Sequence, residues 1–369
     1  MIYLDNGATS FHKPEAVYRA VSGALRRCAN PGRGGYGAAK YASEVVYRCR
    51  ESAAKLFDCT EEQVVFTSNC THGLNIAIRT LVKPGSRVVI SGFEHNAVLR
   101  PLHLLGANIT VAGRTLFDWD DTMESFEKAL KKGTDAAIFT HVSNVFGYIL
   151  PVGELSRMCA KYGTPFIIDA AQSAGSLPVH LNELGADFIA MPGHKGLLGP
   201  QGTGILLCGR TPDPLLAGGT GSDSRNREMP EFLPDRAEAG TLNVPGIAGL
   251  DAGLRYLHSF GIDSVFHREH EAAMQCVHGL RRLGLNVFMG AHQAGTVSFV
   301  PPLDCEELSA LLAKKGIAVR AGLHCAPLAH ESAGTLETGT VRISFGWDAA
   351  DYQTGALMET FAKGKERKY

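Results

Sequence analysis

Short, uninterrupted apolar runs alternate with amphipathic helical segments through the first half of the chain. Runs in which apolar residues do not alternate with polar ones are typical of strands buried on both faces of a parallel sheet. Alternation with helices indicates that helices cover both faces of that sheet. The sequence therefore predicts an α/β fold with a mostly parallel central sheet. The predicted strands are residues 64–67, 87–90, 109–111, 136–139, 166–168 and 188–191, and the predicted helices include 13–27, 38–57, 122–132 and 153–162.

The composition of the sequence changes after residue 209, and this change predicts a second, smaller domain. Residues 211–245 are rich in Gly, Pro and polar residues, and a loop of that length is usually functional or disordered. Beyond it, the pattern predicts a smaller α+β domain. We predict a large domain at 12–255 and a small domain made of 1–11 and 256–369. The predicted elements after the loop are helices at 246–260, 263–283, 305–315 and 351–362 and strands at 296–300 and 341–345.

Composition narrows the classes of partner and compartment. The net charge of −1 over 369 residues argues against nucleic acid or an anionic membrane as the main partner, and favours a small-molecule substrate. No stretch approaches the roughly 20 apolar residues of a membrane helix, and the first residues do not form a signal peptide. The nine cysteines are scattered without CxxC pairs, which favours reduced thiols and a cytoplasmic protein.

Two residues that cofactor chemistry would need follow the last two apolar runs. Asp169 ends the run at 166–168, and Lys195 follows the run at 188–191. Ligands of parallel sheets bind beyond the carboxyl ends of the strands, so we expect this carboxylate and amine to share one crevice. Pyridoxal 5'-phosphate uses such a pair, a lysine for its Schiff base and a carboxylate for its ring nitrogen. Taken singly, a surface lysine and a strand-end aspartate are the more common interpretations.

Further polar residues follow the other runs and point to the same crevice. Cys70 and Thr71 open a helix, whose free N–H groups bind phosphate, although a simple helix cap at Asn69 is the alternative. His95 opens the next helix, where it would stack on a cofactor ring or move protons, or would be an ordinary helix-start residue. The side chains predicted to bond a phenolic oxygen of the cofactor are Asn144 and Gln172.

A second group of residues near the C-terminus suggests substrate chemistry. Arg342 is a candidate for gripping a substrate α-carboxylate, because guanidinium binds carboxylate bidentately, and Arg320 is a candidate for assisting it. Cys325 lies in a turn-rich loop beside His324 and near both arginines. A thiol in such an electropositive, accessible setting becomes a competent nucleophile.

With these residues assembled, the chain resembles the class V aminotransferase-related family and, within it, the second group of cysteine desulfurases. The resemblance runs from LDNGATS at 4–10 and FTSNCTHGLN at 66–75 through DAAQSAG at 169–175 and GHK at 193–195 to RAGLHCAP at 320–327. It covers nearly the whole chain. The short interval between the loop cysteine and the arginine that follows it resembles the second group, whose cysteine loop is compact.

The resemblance implies a fold-type-I, pyridoxal-phosphate-dependent homodimer with composite active sites and no metal. Cys325 would take the sulfur of L-cysteine as a persulfide, with release of L-alanine. The implied cofactor residues are Lys195 as the Schiff-base lysine, His95 against the ring, Asp169 at the ring nitrogen, Asn144 and Gln172 near the phenolic oxygen, and Cys70, Thr71 and His194 at the phosphate, with Thr241 from the second subunit. The implied substrate residues are Arg342, supported by Asn30 and Arg320.

Two departures from the family pattern leave alternatives open. Pro192 stands where the pattern has Ser or Thr before the Gly-His-Lys triplet, and Gly32 stands where many members have His before Arg33. A selenocysteine lyase would share this site, and so would another β-lyase or aminotransferase. A remote alternative is a non-catalytic thiol or metal protein that uses His324 and Cys325. Iron–sulfur cluster assembly, tRNA modification and selenium metabolism all remain open as the destination of the sulfur.

Overall fold

A computed structural model describes residues 1–32, 34–222 and 224–366, so Arg33 of the departure noted above lies outside the described residues. The strands are β1 Ile2–Tyr3, β2 Val64–Thr67, β3 Arg87–Ser91, β4 Asn108–Ala112, β5 Ala136–Thr140, β6 Phe166–Asp169, β7 Phe188–Pro192, β8 Gly204–Cys208, β9 Asn286–Phe288, β10 Thr296–Val300, β11 Ile317–Ala318, β12 Arg320–Gly322 and β13 Thr340–Ser344. The α-helices are α1 Glu15–Arg27, α2 Gly37–Phe57, α3 Cys70–Leu81, α4 Asn96–Leu104, α5 Trp119–Lys131, α6 Val152–Tyr162, α7 Leu181–Leu184, α8 Val244–Phe260, α9 Ile262–Arg282, α10 Cys305–Lys314, α11 Pro327–Ala333 and α12 Asp351–Glu366.

A seven-stranded sheet in the order β2-β8-β7-β6-β5-β3-β4 forms the centre of the molecule. Its strands run parallel except for β8, which is antiparallel to both of its neighbours. The predicted α/β fold with a mostly parallel sheet is confirmed, and the predicted strands are correct to within one residue at each end. The sequence analysis missed β8, although Ile205 to Cys208 is itself a buried apolar run.

Burial on both faces explains why these strands read as continuous apolar runs. Every residue of β2, β5, β6, β7 and β8 is buried. Successive side chains point to opposite faces, so Ile168 joins one hydrophobic core and Ile167 joins the core on the other side. The edge strand β4 is mostly exposed. The sheet is therefore a rigid platform whose carboxyl edge can hold functional groups in fixed positions.

A third hydrophobic core lies under a four-stranded antiparallel sheet in the order β12-β13-β10-β9. Leu4 belongs to this core, and β1 pairs in parallel with β11. The N-terminal segment is thus joined to the C-terminal part of the chain. In the other direction, α8 packs against α1 and α2. The predicted domain boundaries at residues 12 and 255 stay a prediction. Residue 255 lies inside α8, and Gly261 alone separates α8 from α9.

The cysteines and helices bear on the sequence predictions about compartment. All nine cysteines are free, and Cys159, Cys208 and Cys276 are buried as predicted. Within the described ranges, no helix combines the length and the apolar character needed to cross a bilayer.

Glu94 links the ends of two central strands from the loop after β3. Its Oε1 accepts a hydrogen bond of 2.8 Å from the Thr140 backbone N–H and another from the Ser91 hydroxyl. The side chain is fully buried, and burial raises the pKa of its carboxyl from 4.5 to about 8. Glu94 is therefore a neutral acid in the folded protein at pH 7.

We predict that Glu94→Gln stabilises the protein increasingly as pH rises. Because the pKa of Glu94 is raised in the folded state, its contribution to the free energy of unfolding is fully present below about pH 4.5. That contribution is lost as the pH rises to about 8. Glutamine keeps the oxygen acceptor without the titration. Near pH 4.5 the variant and the wild type should have similar free energies of unfolding. Above pH 8 the free energy of unfolding of the variant should exceed that of the wild type by roughly a few kcal/mol.

Urea unfolding across this pH range measures the difference. Glu51→Gln, at an exposed position of α2, is the matched control and should leave the pH dependence unchanged. A pH-independent difference between Glu94→Gln and the wild type would contradict a buried, neutral Glu94.

Candidate active site

A cavity of about 110 Å³ lies at the carboxyl edge of the large sheet, where β2, β3, β5, β6 and β7 end. The structure brings together here most of the cofactor-side residues that the sequence predicted. Those lining the cavity are Cys70, Thr71, His95, Asn144, Asp169, Gln172, His194 and Lys195, together with Pro192.

Asp169 is held at the end of β6 by local donors. Its Oδ1 accepts a hydrogen bond of 2.9 Å from the Ala171 backbone N–H and faces the Cys70 thiol at 3.5 Å. Burial raises the pKa of Cys70 well above its usual value, so the thiol stays protonated and donates to the carboxylate. Cys70 thus contacts this site through its side chain, a contact that the sequence analysis did not predict.

Lys195 follows β7 and shares the cavity with Asp169. Burial lowers the pKa of the Lys195 amine, and the nearby Asp169 carboxylate opposes that shift. In the described part of the chain, Nζ of Lys195 forms no hydrogen bond or ion pair. An amine with a lowered pKa and an open cavity beside it is suited to covalent chemistry or proton transfer.

His95 caps the N-terminus of α4. Its Nδ1 accepts a hydrogen bond of 3.0 Å from the Ala97 backbone N–H, which assigns the proton of the neutral ring to Nε2. Burial lowers the pKa of His95, with Asp169 acting in the opposite direction. The ring therefore faces the cavity as a neutral imidazole at pH 7.

The N-terminus of α3 offers an anion site. Asn69 caps this helix, because its Oδ1 accepts a 2.9 Å hydrogen bond from the His72 N–H, as the simpler sequence interpretation predicted. The cap leaves the first N–H groups, those of Cys70 and Thr71, without partners inside the helix. Gly204 of β8 is needed here, since a Cβ would lie 2.8 Å from the Asn69 carbonyl carbon. A phosphate role for Cys70 and Thr71 stays a prediction.

The two predicted amide side chains are engaged with backbone carbonyls. Asn144 Nδ2 donates to the His324 carbonyl at 2.8 Å, and Gln172 Nε2 donates to the Gly7 carbonyl at 2.9 Å. These bonds tie the cavity to the cysteine loop and to the N-terminal segment. Contact of either amide with a phenolic oxygen stays a prediction.

The loop that carries Cys325 has an unusual backbone. His324 and Cys325 both adopt the left-handed region, with φ of 50° and 56°, which is uncommon for residues other than glycine. Besides the bond from Asn144, the Asn96 N–H at the start of α4 donates to the Cys325 carbonyl at 2.8 Å. The Cys325 side chain is exposed. The loop is therefore held beside the cavity through Asn144, and Cys325 is accessible.

Arg342 and Arg320 meet at a carboxylate that the sequence analysis did not assign. Arg342, buried in β13, donates from Nη2 to Asp5 at 2.8 Å and from Nη1 to the Asn144 carbonyl at 2.9 Å. Arg320 donates to Asp5 from Nε at 3.0 Å and from Nη2 at 2.8 Å. Asp5 belongs to the LDNGATS motif, which was the available signal. Its partners are too distant in sequence for that signal to reveal them.

Cys325, Arg320 and Arg342 do not line this cavity, and the Cys325 loop and Arg342 are linked to it through Asn144. Two further predicted site residues, Asn30 and Thr241, lie elsewhere in the described chain. Asn30 is exposed in the loop between α1 and α2. Thr241 lines a different cavity, of about 200 Å³, together with His72 and Glu238. Their predicted roles remain predictions. Within the described residues, no group of three or more His, Cys, Asp or Glu side chains is arranged to hold a metal ion.

The donor set of the cavity fits pyridoxal 5'-phosphate. Lys195 supplies an open amine for a carbonyl carbon, Asp169 an oriented carboxylate for a basic ring nitrogen, and the start of α3 an anion site for a phosphate. All three face one cavity.

Comparison with known proteins gives an independent view of the chain. Residues 2–353 match the family model described as aminotransferase class-V. A probable cysteine desulfurase of Pyrococcus abyssi is 34% identical over 364 residues, which is 94% of this chain and 89% of that protein. A probable cysteine desulfurase of Methanothermobacter thermautotrophicus is 32% identical over 381 residues, covering 97% and 93%.

Solved structures agree in fold. The apo structure of a cysteine desulfurase from Thermococcus onnurineus NA1 superposes with a TM-score of 0.91 at 32% identity, covering 98% of this chain and 94% of that one. A cysteine desulfurase from Escherichia coli, in an S-sulfonic acid form, gives a TM-score of 0.83 at 26% identity, covering 99% and 94%.

We predict that Asn144→Ala loosens the loop that carries Cys325. Removing Nδ2 leaves the His324 carbonyl without its 2.8 Å bond, while Arg342 keeps the Asn144 backbone carbonyl. A lost hydrogen bond of about 1 to 1.5 kcal/mol corresponds to roughly tenfold faster local opening. Hydrogen–deuterium exchange of the backbone amides at 322–326 measures this change.

Asn75→Ala is the matched control. It removes an amide that donates to the Thr71 carbonyl at 2.9 Å on the exposed face of α3. Unchanged exchange at 322–326 in Asn144→Ala would show that the amide does not hold the loop.

Proposed function

Because the chain belongs to the class-V aminotransferase family, we propose that it is a pyridoxal-phosphate-dependent cysteine desulfurase. The observation that carries the proposal is the exposed Cys325 thiol, whose loop is bonded to Asn144 and Asn96 at the wall of the Lys195 cavity. Relatives named cysteine desulfurase match nearly the whole chain at 34% and 32% identity. Their fold, which the sequence predicted as fold type I, is also the fold of this chain.

The proposed reaction converts L-cysteine to L-alanine. The carbon–sulfur bond of the substrate breaks, a sulfur–sulfur bond to Cys325 forms, and the thiol of Cys325 becomes a persulfide. Atoms and electrons balance without an external oxidant or reductant. The β-carbon takes the electron pair of the broken carbon–sulfur bond and one proton, which makes the methyl group of alanine, while the two sulfurs are oxidised to the persulfide and the thiol proton of Cys325 is released.

The cofactor, when bound, supplies an electron sink that stabilises negative charge at the substrate α-carbon. The chain's own residues hold and tune it. We assign Lys195 to the covalent anchor, Asp169 to the ring nitrogen, His95 to the ring face, Asn144 and Gln172 to the phenolic oxygen, and Cys70, Thr71 and His194 to the phosphate, with Thr241 supplied by the second subunit of a homodimer.

Two side chains have protonation states suited to these roles. The lowered pKa of Lys195 makes its Nζ better able to take up and return a proton than an exposed lysine. The pKa of His194 is lowered to about 4 by burial, and its Nδ1 lies 3.0 Å from the Thr9 hydroxyl. His194 is therefore neutral and can only act as a hydrogen-bonding group.

Arg342 is assigned to the substrate carboxylate. Its Nε is buried and has no hydrogen-bond partner in the described structure, whereas Nη1 and Nη2 are already used. An unpartnered donor on a buried guanidinium is a strong site for a carboxylate, because pairing removes the cost of burying it. Arg320 acts through Asp5, and Asn30 is assigned to support at the same substrate.

We further propose a cytoplasmic enzyme that passes its persulfide sulfur to an acceptor protein. The nine free cysteines support a reducing compartment. The exposed position of Cys325 supports transfer to a partner.

Replacing Cys325 tests the sulfur transfer. We expect the wild type to release alanine from L-cysteine and Cys325→Ala to lose at least about 100-fold of that rate, because the nucleophile is removed. Chromatography of alanine and a sulfide assay measure the products. Cys28→Ala, at a half-buried position directly after the C-terminus of α1, is the matched control.

The other outcomes separate the alternatives. Full activity of Cys325→Ala with L-cysteine would eliminate the persulfide step. Pyruvate and ammonia in place of alanine would favour a β-lyase. Activity of Cys325→Ala that persists with selenocysteine alone would favour a selenocysteine lyase.

Replacing Lys195 tests the cofactor. The protein with bound cofactor should absorb visible light, and Lys195→Ala should lose that absorbance because the covalent anchor is gone. Lys13→Ala is the sharpest control, since Lys13 also lies beside His194 and burial lowers its pKa to about 8. Absorbance that disappears in Lys13→Ala and survives in Lys195→Ala would contradict the assignment.

A further inference from the structure

Asp5 lies between two guanidinium groups, and both are bonded to it directly. Arg342 donates to Oδ1 at 2.8 Å, and Arg320 donates to Oδ2 at 2.8 Å and 3.0 Å. Asp5 is buried, Arg342 is almost fully buried, and about half of the Arg320 side chain is exposed. The three charges form one compact group.

The backbone around Asp5 is fixed, so this carboxylate cannot move away. The Asn6 N–H donates to the Ser344 carbonyl at 3.2 Å, and the Gly7 N–H donates to the Ser344 hydroxyl at 2.7 Å. Gly7 lies so close to Arg342 that a Cβ there would approach the guanidinium carbon to 3.2 Å. The N-terminal segment therefore holds Asp5 against Arg320 and Arg342 in one geometry.

The group carries one net positive charge, from two guanidinium groups and one carboxylate. Neighbouring side chains do not change this count. Burial lowers the pKa of His324 to about 2 and raises the pKa of Tyr3 to about 12, so both are neutral at pH 7. Lys195 shares its own cavity with the Asp169 carboxylate, which balances it.

One donor of this group, on Arg342, is left unpaired. Arg342 Nε is buried without a partner in the described structure, and both other nitrogens of that guanidinium are occupied. A single negative charge at this donor would neutralise the group. A second negative charge would be uncompensated and would also face Asp5, and such repulsion in a buried setting is strong.

We propose that Asp5 is a specificity-determining residue that sets the site to accept one carboxylate. By holding two arginines at one net positive charge, it favours amino acids with an uncharged side chain, as cysteine largely has at neutral pH, over those with a second acidic group. This inference rests on the proposed function for the identity of the substrate, while the charge count depends only on the residues described.

Binding of simple carboxylates tests the proposal without chemistry. Propionate has one carboxylate and succinate has two, and ligand-observed NMR gives both dissociation constants on the complete protein. Asp5→Asn, which is close to isosteric, raises the net charge to two. We expect it to shift the preference toward succinate by about tenfold relative to the wild type.

A double variant separates charge from structure. Asp5→Asn combined with Arg320→Gln returns the net charge to one, and we expect the preference to return to within about threefold of the wild type. If Asp5 had only a structural role, the double variant would be as altered as the single one or more so. Asp5→Glu keeps the charge and should stay near the wild-type preference.

Arg320→Gln alone keeps the proposal testable if Asp5→Asn does not fold. Arg320 is half exposed, and its loss lowers the net charge to zero, so the preference should move away from succinate by about tenfold. Arg342→Leu should abolish binding of both ligands, which locates them at this site.

The proposal is overturned by an unchanged preference in Asp5→Asn, by no return in the double variant, or by binding that persists in Arg342→Leu. Absence of binding to the wild type overturns it as well. Absence of alanine production with the expected ligand preferences would instead reject the proposed function alone.

Discussion

Five strands of the large sheet point in the same direction, and the site depends on this constraint. Strands β2, β7, β6, β5 and β3 all end at one edge of the sheet, although β8 between the first two runs the other way. Backbone beyond such strands cannot continue the sheet, so turns and helix starts collect there. Their free N–H groups and side chains face one volume. An amine, a carboxylate, an imidazole and an anion site follow from this arrangement and from the residue at each strand end.

The other half of the site comes from the N-terminal segment, which crosses from the small sheet to the large one. Its Ser10 N–H and hydroxyl, both at 3.0 Å, and its Thr9 hydroxyl, at 3.1 Å, donate to the carbonyl of His194, the residue before Lys195. A few residues earlier, Asp5 holds Arg342. One short stretch of chain thus contacts both the residue before Lys195 and the guanidinium of Arg342.

Local sequence patterns predicted the cofactor side of the site because each residue there is placed by the strand that it follows. Lys195 and Asp169 needed only their own apolar runs for the prediction. Asp5 could not be found in this way, since its partners are more than 300 positions away and a chain pattern carries no information on such contacts. The amide of Asn144 was placed correctly, but its bond to the His324 carbonyl depends on tertiary structure. Thr241 lines a different cavity, so its predicted role was not tested by the single chain.

The left-handed backbone at Cys325 has a consequence for how sulfur leaves the protein. Because the carbonyls of Cys325 and its neighbour are both bonded, the loop cannot swing outward without breaking those contacts. A persulfide lengthens the side chain by one sulfur–sulfur bond of about 2.05 Å, directed from an already exposed position. The proposed acceptor protein would therefore have to bring its own thiol to a group that is held in place.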